Sequence, residues 1–366
     1  MIALTVASVI VVAGCGAAPP PPTATASAIG DASGPATAKS RSEVPTAAAS
    51  ASRASSPGDA LTPSIGSIDP LSVFMPDRTV GTMLSADGAV WAFDWSGVLR
   101  IDPATDETRR FELDAADGSD RPSIFGAIGF GSIWVGDFER DEVRRFDEAT
   151  GALTTTIATT KPEGLLVDGT AVWVADHRTG SVSRIDPVTS RVVATVTVGE
   201  DGRRGPERLA ASGGKIWTGI PNALAVAGID PTTNTAAGTI VVAPPGNPCG
   251  DIGTYGDRLF ISGCALADAL AVVDVKTGVA VASPGFDGAV TAPVAVGDHL
   301  WLGIGRGAEG DLTRMDPGSL EVGRGVPVTG GSPTVLLAAF NSMWVAVELE
   351  DSGSAWILRV PLAAFE

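Results

Sequence analysis

Histidine and cysteine are almost missing from this chain, with two and three copies in 366 residues. A His-rich metal centre and a disulfide-built scaffold are thereby excluded. Basic side chains are also few: 25 Lys and Arg against 42 Asp and Glu leave a formal charge of −17. Without a basic patch a phosphate backbone has nothing to hold it, so no nucleic acid is expected as partner. The 45 glycines and 26 prolines make a helix-rich fold untenable, because these are the two poorest helix formers. What remains is a chain of short β-forming runs between turn residues, long enough for one large all-β domain or two smaller ones.

The two ends differ. Val9-Ile10-Val11-Val12-Ala13-Gly14-Cys15 is an apolar run well below the ~20 residues that span a bilayer, so it reads as the hydrophobic region of a signal peptide over residues 1–15. Val12-Ala13-Gly14-Cys15 resembles the lipobox of bacterial lipoproteins, which implies diacylglycerol attachment at Cys15. An ordinary secretory signal with a cysteine at that place is the alternative. Residues 16–63 are mostly Ala, Pro, Ser, Thr and Gly, including Pro19-Pro20-Pro21-Pro22, and their charges cancel. Such a segment buries too little apolar surface to offset chain entropy and is expected as a disordered tether. The negative charge therefore belongs to residues 64–366, a domain expected outside the cytoplasm and lipid-anchored to the bacterial cell membrane.

That domain repeats. Trp91, Trp134, Trp173, Trp217, Phe260, Trp301 and Trp344 recur at spacings between 39 and 44 residues. An apolar-then-Asp turn follows in six of the units, at Asp102, Asp147, Asp186, Asp230, Asp274 and Asp316. The third unit shows four β-runs, beginning Gly164-Leu165-Leu166-Val167 and Ala171-Val172-Trp173-Val174-Ala175, with turn residues at each joint. Four strands per ~40–45 residues is the mark of a propeller blade, so the fold class is all-β: a seven-bladed β-propeller with four-stranded blades. The recurrent aromatics are read as rings packed between blades, and the aspartates as turn caps that accept backbone N–H bonds.

The stretch Trp173-Val174-Ala175-Asp176-His177-Arg178-Thr179-Gly180-Ser181-Val182-Ser183-Arg184-Ile185-Asp186-Pro187-Val188-Thr189 resembles the repeat of YVTN-type surface propellers and is similar to the virginiamycin B lyase-like propellers. The likeness covers nearly all of residues 64–366. The lyase resemblance implies a metal ion at the central face held by histidine and glutamates. No first strand here carries a histidine, and His299 lies away from the expected mouth.

Two departures from the repeat carry structural expectations. The seventh unit runs out of chain after three strands, while residues 65–74 precede the first blade and belong to none. Part of 65–74 is therefore predicted to supply the missing outermost strand and close the ring. In the fifth unit the Gly256-Asp257 turn sets Cys249 opposite Cys264, and an exported chain with such a pair is expected to oxidise it. Two buried free thiols are the alternative.

A site is expected at the mouth of the central channel, where loops between second and third strands and between blades converge. Asp94, Asp137 and Asp176 follow the tryptophan strands of the first three units. His177, Arg178 and Arg140 lie in the same loops, and Glu163, Glu207 and Arg208 enter between blades. Three readings are open: a divalent cation site, calcium or magnesium, on the three aspartates; acid–base chemistry at His177; and loop capping with no ligand. The leading function is a binding or interaction module, with a small-molecule, cell-wall or protein ligand and a monomeric state. A metal-assisted lyase or hydrolase and a cell-envelope scaffold without central ligand are the alternatives. No cofactor is required by the leading reading.

Overall fold

The computed structural model describes residues 50–53, 63–74, 76, 79–113, 125–199, 205–242, 248–263, 268–350 and 354–365. The chain divides into two units, Met1–Val44 and Pro45–Glu366. The first lies outside the described residues, as do Cys15, Cys264 and most of the expected tether.

The second unit is the seven-bladed ring expected from the repeat. Seven antiparallel sheets follow one another, each built from four consecutive strands or completed from elsewhere in the chain. The third blade is representative: Pro162–Val167, Val172–Asp176, Ser181–Asp186 and Arg191–Thr197 pair in that order from axis to rim. Hydrophobicity grades along the same direction. Its second strand is buried at every residue, while the outermost strand shows mostly exposed positions. That gradient is what a sheet produces when its two faces are covered by neighbouring blades near the axis and released towards the rim.

All seven repeat aromatics occupy second strands and are buried. In five blades the indole N–H donates to an oxygen five residues earlier: the carbonyls of Ala86, Gly129, Ser212 and Ala339, or the Asp168 carboxylate. Trp301 finds no such acceptor and instead meets Phe365 edge-on at 4.8 Å. The Asp turns are caps as read. Asp186, for example, accepts from the backbone N–H of Val188 and Thr189, both at 2.8 Å.

An arginine on the third strand, opposite the ring, links blade to blade. Arg145 stacks on Trp134 at 4.7 Å and donates to Pro187 O and Ser190 Oγ of the next turn, both at 2.7 Å. Arg184 repeats this one blade on, over Trp173 and into Pro231 O and Asn234 Oδ1. Arg359 carries it across the seam, over Trp344 and onto Asp106 Oδ1 at 2.7 Å. The guanidinium suits the task because it stacks with its face while its edge forks towards acceptors.

The ring closes through its N-terminal segment. Ser72–Phe74 is the outermost strand of the last blade, with Ser72, Val73 and Phe74 opposite Arg359, Leu358 and Ile357. Phe74 is buried and stacked on Trp344. Ser72 Oγ also donates to Asp106, so one carboxylate in blade one takes bonds from both halves of blade seven. Two further strands lie upstream: Ser64–Ile65 on the rim of blade six, and Ser50–Arg53, within the expected tether, on the rim of blade one. In blade five the register runs as the turn dictates, from Tyr255 opposite Arg258 to Ile252 opposite Ile261. Cys249 is buried at the end of this pairing.

Candidate functional site

The channel mouth is set by where the inner strands begin. Two residues before the position that faces each blade's aromatic stand Thr82, Phe125, Gly164, Arg208, Asp251, Ala292 and Val335. All seven line a central cavity of about 430 Å³. Below them the wall turns apolar, with Met83, Leu165, Leu209 and Leu337 among its residues. Gly164 has a packing reason: a Cβ there would lie on the carbonyl oxygen of Glu207 in the next blade.

Arg208 is the centre of the polar part. Its guanidinium lies 3.3 Å from the centroid of the Phe125 ring. Nη1 donates to Glu163 O at 2.7 Å, and Nε donates to Asp251 Oδ1 at 3.0 Å. One side chain thus ties blades two, three, four and five together at the axis. The Asp251 carboxyl remains 43% exposed, so the ion pair faces the opening rather than the core. His177 sits beside this group, with Nδ1 3.2 Å from Glu163 Oε2 but out of hydrogen-bonding alignment. Its ring is tilted against Phe138, over which Lys161 Nζ lies at 4.8 Å.

The three aspartates behave differently. Each is nearly fully buried at the end of a second strand and engaged with the hairpin that follows. Asp94 accepts from Ser96 N and Gly97 N and takes both terminal nitrogens of Arg110, at 2.8 and 2.7 Å. Asp137 accepts from Arg140 N and Arg140 Nη1. Asp176 accepts from Thr160 N and Ser183 Oγ, and burial pushes its carboxyl above the usual carboxylate range. Among the described residues no group of three or more His, Cys, Asp or Glu side chains is placed to hold one metal ion.

Of the expected residues, the structure therefore gathers Glu163, His177 and Arg208. Arg140 belongs to the Asp137 hairpin, Arg178 points to Asp141 at 3.8 Å, and Glu207 is buried between blades. Phe125 and Asp251 were missed by the sequence reading. The signal was present, since both stand at the same distance from the repeat aromatic as Arg208.

A second hollow of about 750 Å³ adjoins the mouth between blades five, six and seven and shares Asp251 and Thr291 with the channel. It opens where the inner strand of blade six is broken into Ala289–Val290 and Val294–Val296, with Pro293 between them. Arg306 stands in this hollow and is paired to Asp287 and Asp311 at 2.6 and 2.7 Å.

No protein-family model matches the chain, and no curated protein matches it. Solved structures do. Hydrazine synthase from Kuenenia stuttgartiensis superposes with a TM-score of 0.60 at 14% identity, over 76% of this chain and 98% of that one. BamB from Moraxella catarrhalis gives 0.55 at 17% identity, over 77% and 83%. The computationally designed protein Ika8 gives 0.53 at 12% identity, over 78% and 98%. At these identities the likeness is one of fold.

Proposed function

We propose that this chain is a membrane-tethered, extracytoplasmic propeller that binds a partner at its channel mouth. The observation that carries the reading is the state of Arg208. It is stacked, anchored by two bonds and left at the opening with a half-exposed carboxylate, which is a preorganised recognition element. The fold likeness to BamB is compatible with an interaction module. The lipobox resemblance at Cys15 supplies the anchor in this reading, and the expected Cys249–Cys264 disulfide would brace the loop beside Asp251. Lyase or hydrolase chemistry finds less support. It needs Asp94, Asp137, Asp176 and His177 to meet at one centre, and the aspartates are each committed to their own hairpins.

The test is native mass spectrometry of the protein taken from its own envelope. A bound species should be seen with the wild type, be lost with Arg208→Ala or Asp251→Asn, and survive Arg178→Ala. A mouth that retains its partner in both of the first two variants contradicts the proposal. Anchoring is read separately: Cys15→Ala should lose the acyl mass and move to the soluble fraction.

A further inference from the structure

Charge is balanced inside the channel in a way that restricts what can enter it. Among the described residues that line the central cavity only Arg208 and Asp251 are charged, and they are paired with each other at 3.0 Å. Glu139, Asp141 and Glu163 stand at the same end of the ring, but none of them lines the cavity. Their carboxylates turn to Lys161, Arg178 and His177. An anionic ligand at Arg208 would lie beside the Asp251 carboxylate, and a cationic one at Asp251 beside the guanidinium. Either has to take one partner from the other, and an anion does so against an overall charge of −17. An uncharged ligand leaves the pair standing.

The pair still has bonds to give. Arg208 donates through Nε and Nη1 and Asp251 accepts on Oδ1, which leaves Arg208 Nη2 and Asp251 Oδ2 without a partner among the described residues. A group that uses both must present an acceptor and a donor side by side. Neighbouring hydroxyls of a sugar do this, since each can accept and donate. A peptide group does not, because its trans geometry points C=O and N–H in opposite directions. The rest of the lining agrees. The Thr82 and Thr254 hydroxyls, from blades one and five, also lack partners among the described residues and add donors and acceptors without charge. Met83, Leu165, Leu209 and Leu337 form an apolar wall suited to the C–H face of a pyranose ring. Phe125 is the only aromatic ring in the described lining, and the Arg208 guanidinium already covers one of its faces. A flat aromatic ligand thus finds little to stack on. The volume of about 430 Å³ falls at the small end of the range for small-molecule sites, about 300–1,000 Å³.

We propose that the channel mouth takes an uncharged mono- or disaccharide, bridged between Arg208 and Asp251 by adjacent hydroxyls. The inference rests on the mouth being the binding site and adds the class of its ligand. Because no ion pair is opened or formed on binding, the affinity should change little with salt.

The experiment applies the full chain, solubilised in detergent, to an array of mono- and disaccharides. Each sugar is present in neutral, carboxylated and amino forms, with uncharged tripeptides beside them. At least one neutral sugar should retain the wild type, and its charged forms should retain it less. Asp251→Asn should weaken that binding about tenfold or more, as loss of a hydrogen bond to a charged group does, and Thr82→Val should weaken it several-fold. The Tm of each variant checks its fold. Binding that prefers a charged form or a tripeptide, falls with added salt, or survives Asp251→Asn overturns the proposal. So does an array without retention while native mass spectrometry of the envelope-derived protein finds a bound species that contains no sugar. If neither measurement finds anything bound, the mouth itself is not a binding site, and the failure belongs to the reading on which this one rests.

Discussion

Two aspartates at equivalent places in the repeat make opposite demands on their surroundings. Asp94 is paired with a buried guanidinium, and Asp94→Ala would take two charge-assisted bonds from Arg110 and leave it Glu112 and the Ser96 hydroxyl, at a cost of about 1.5–3 kcal/mol. Asp176 has no cation beside it and is held by a hydroxyl and one N–H, so burial favours its protonated form. Its folded pKa lies above the unfolded one, so its contribution is full below the unfolded pKa and is lost as pH rises through the folded value. Asp176→Asn should therefore be neutral or stabilising at pH 7, where Asp94→Asn is destabilising; thermal melts of the two variants decide it. The sequence showed both residues as mouth carboxylates of one kind. What separates them is Arg110, sixteen positions on and two strands away. No pattern along the chain marks that arginine as a partner of the hairpin.

At the scale of elements, the blades were legible because period and burial coincide: one aromatic per unit, on the strand with least exposure. The closing strand was legible from what the seventh unit lacked. Deleting residues 64–75 removes Ser72–Phe74 and the Phe74 ring against Trp344 and should lower the Tm by many degrees, whereas deleting 20–49 should leave it unchanged. Phe74→Ala alone should cost about 3–5 kcal/mol, as a buried ring does. The strand Ser50–Arg53 escaped the sequence reading because it lies in a stretch with the composition of a tether, and the pairing of Ser64–Ile65 because it joins blade six instead of the seventh blade that lacked a strand. The blade-to-blade arginines escaped it because they bind the following turn through carbonyls in two blades and through a different side chain in each, Ser190, Asn234 and Asp106, which leaves no common sequence signature. The cysteine pair follows from hairpin register, and peptide mapping without reductant should recover Cys249 joined to Cys264. Recovery of both as free thiols would sink that expectation.

For the whole molecule, the turn caps add up to a common pH response. Asp102, Asp186, Asp230, Asp274 and Asp316 are held below the usual carboxylate range by backbone N–H groups, and Asp147 chiefly by the Thr150 hydroxyl. Groups with depressed folded pKa stabilise above their unfolded value, near 4, and lose that contribution as pH falls through the folded one. Six such groups outnumber the two carboxyls pushed up by burial, Asp176 and Glu148, so the Tm should hold from pH 7 to 5 and fall below about pH 4. Asp186→Asn and Asp230→Asn, which keep the acceptor without the charge, should make the fall shallower.

The seam between Ser72–Phe74 and Ala355–Pro361 also sets the order in which the protein can be made. Six blades draw their four main strands from one stretch of chain and can assemble as they emerge from a ribosome or a translocon. The seventh needs a strand from near the start and three from the very end, so its first component must wait, unpaired, for nearly the whole polypeptide to follow. A chain exported through a membrane in an extended state meets this requirement naturally, because the ring cannot shut on the near side before the last strands have crossed. Premature termination between Glu348 and Ala355 should then leave an open arc with Phe74 and Trp344 uncovered, a species that quality-control proteases would recognise by its exposed rings.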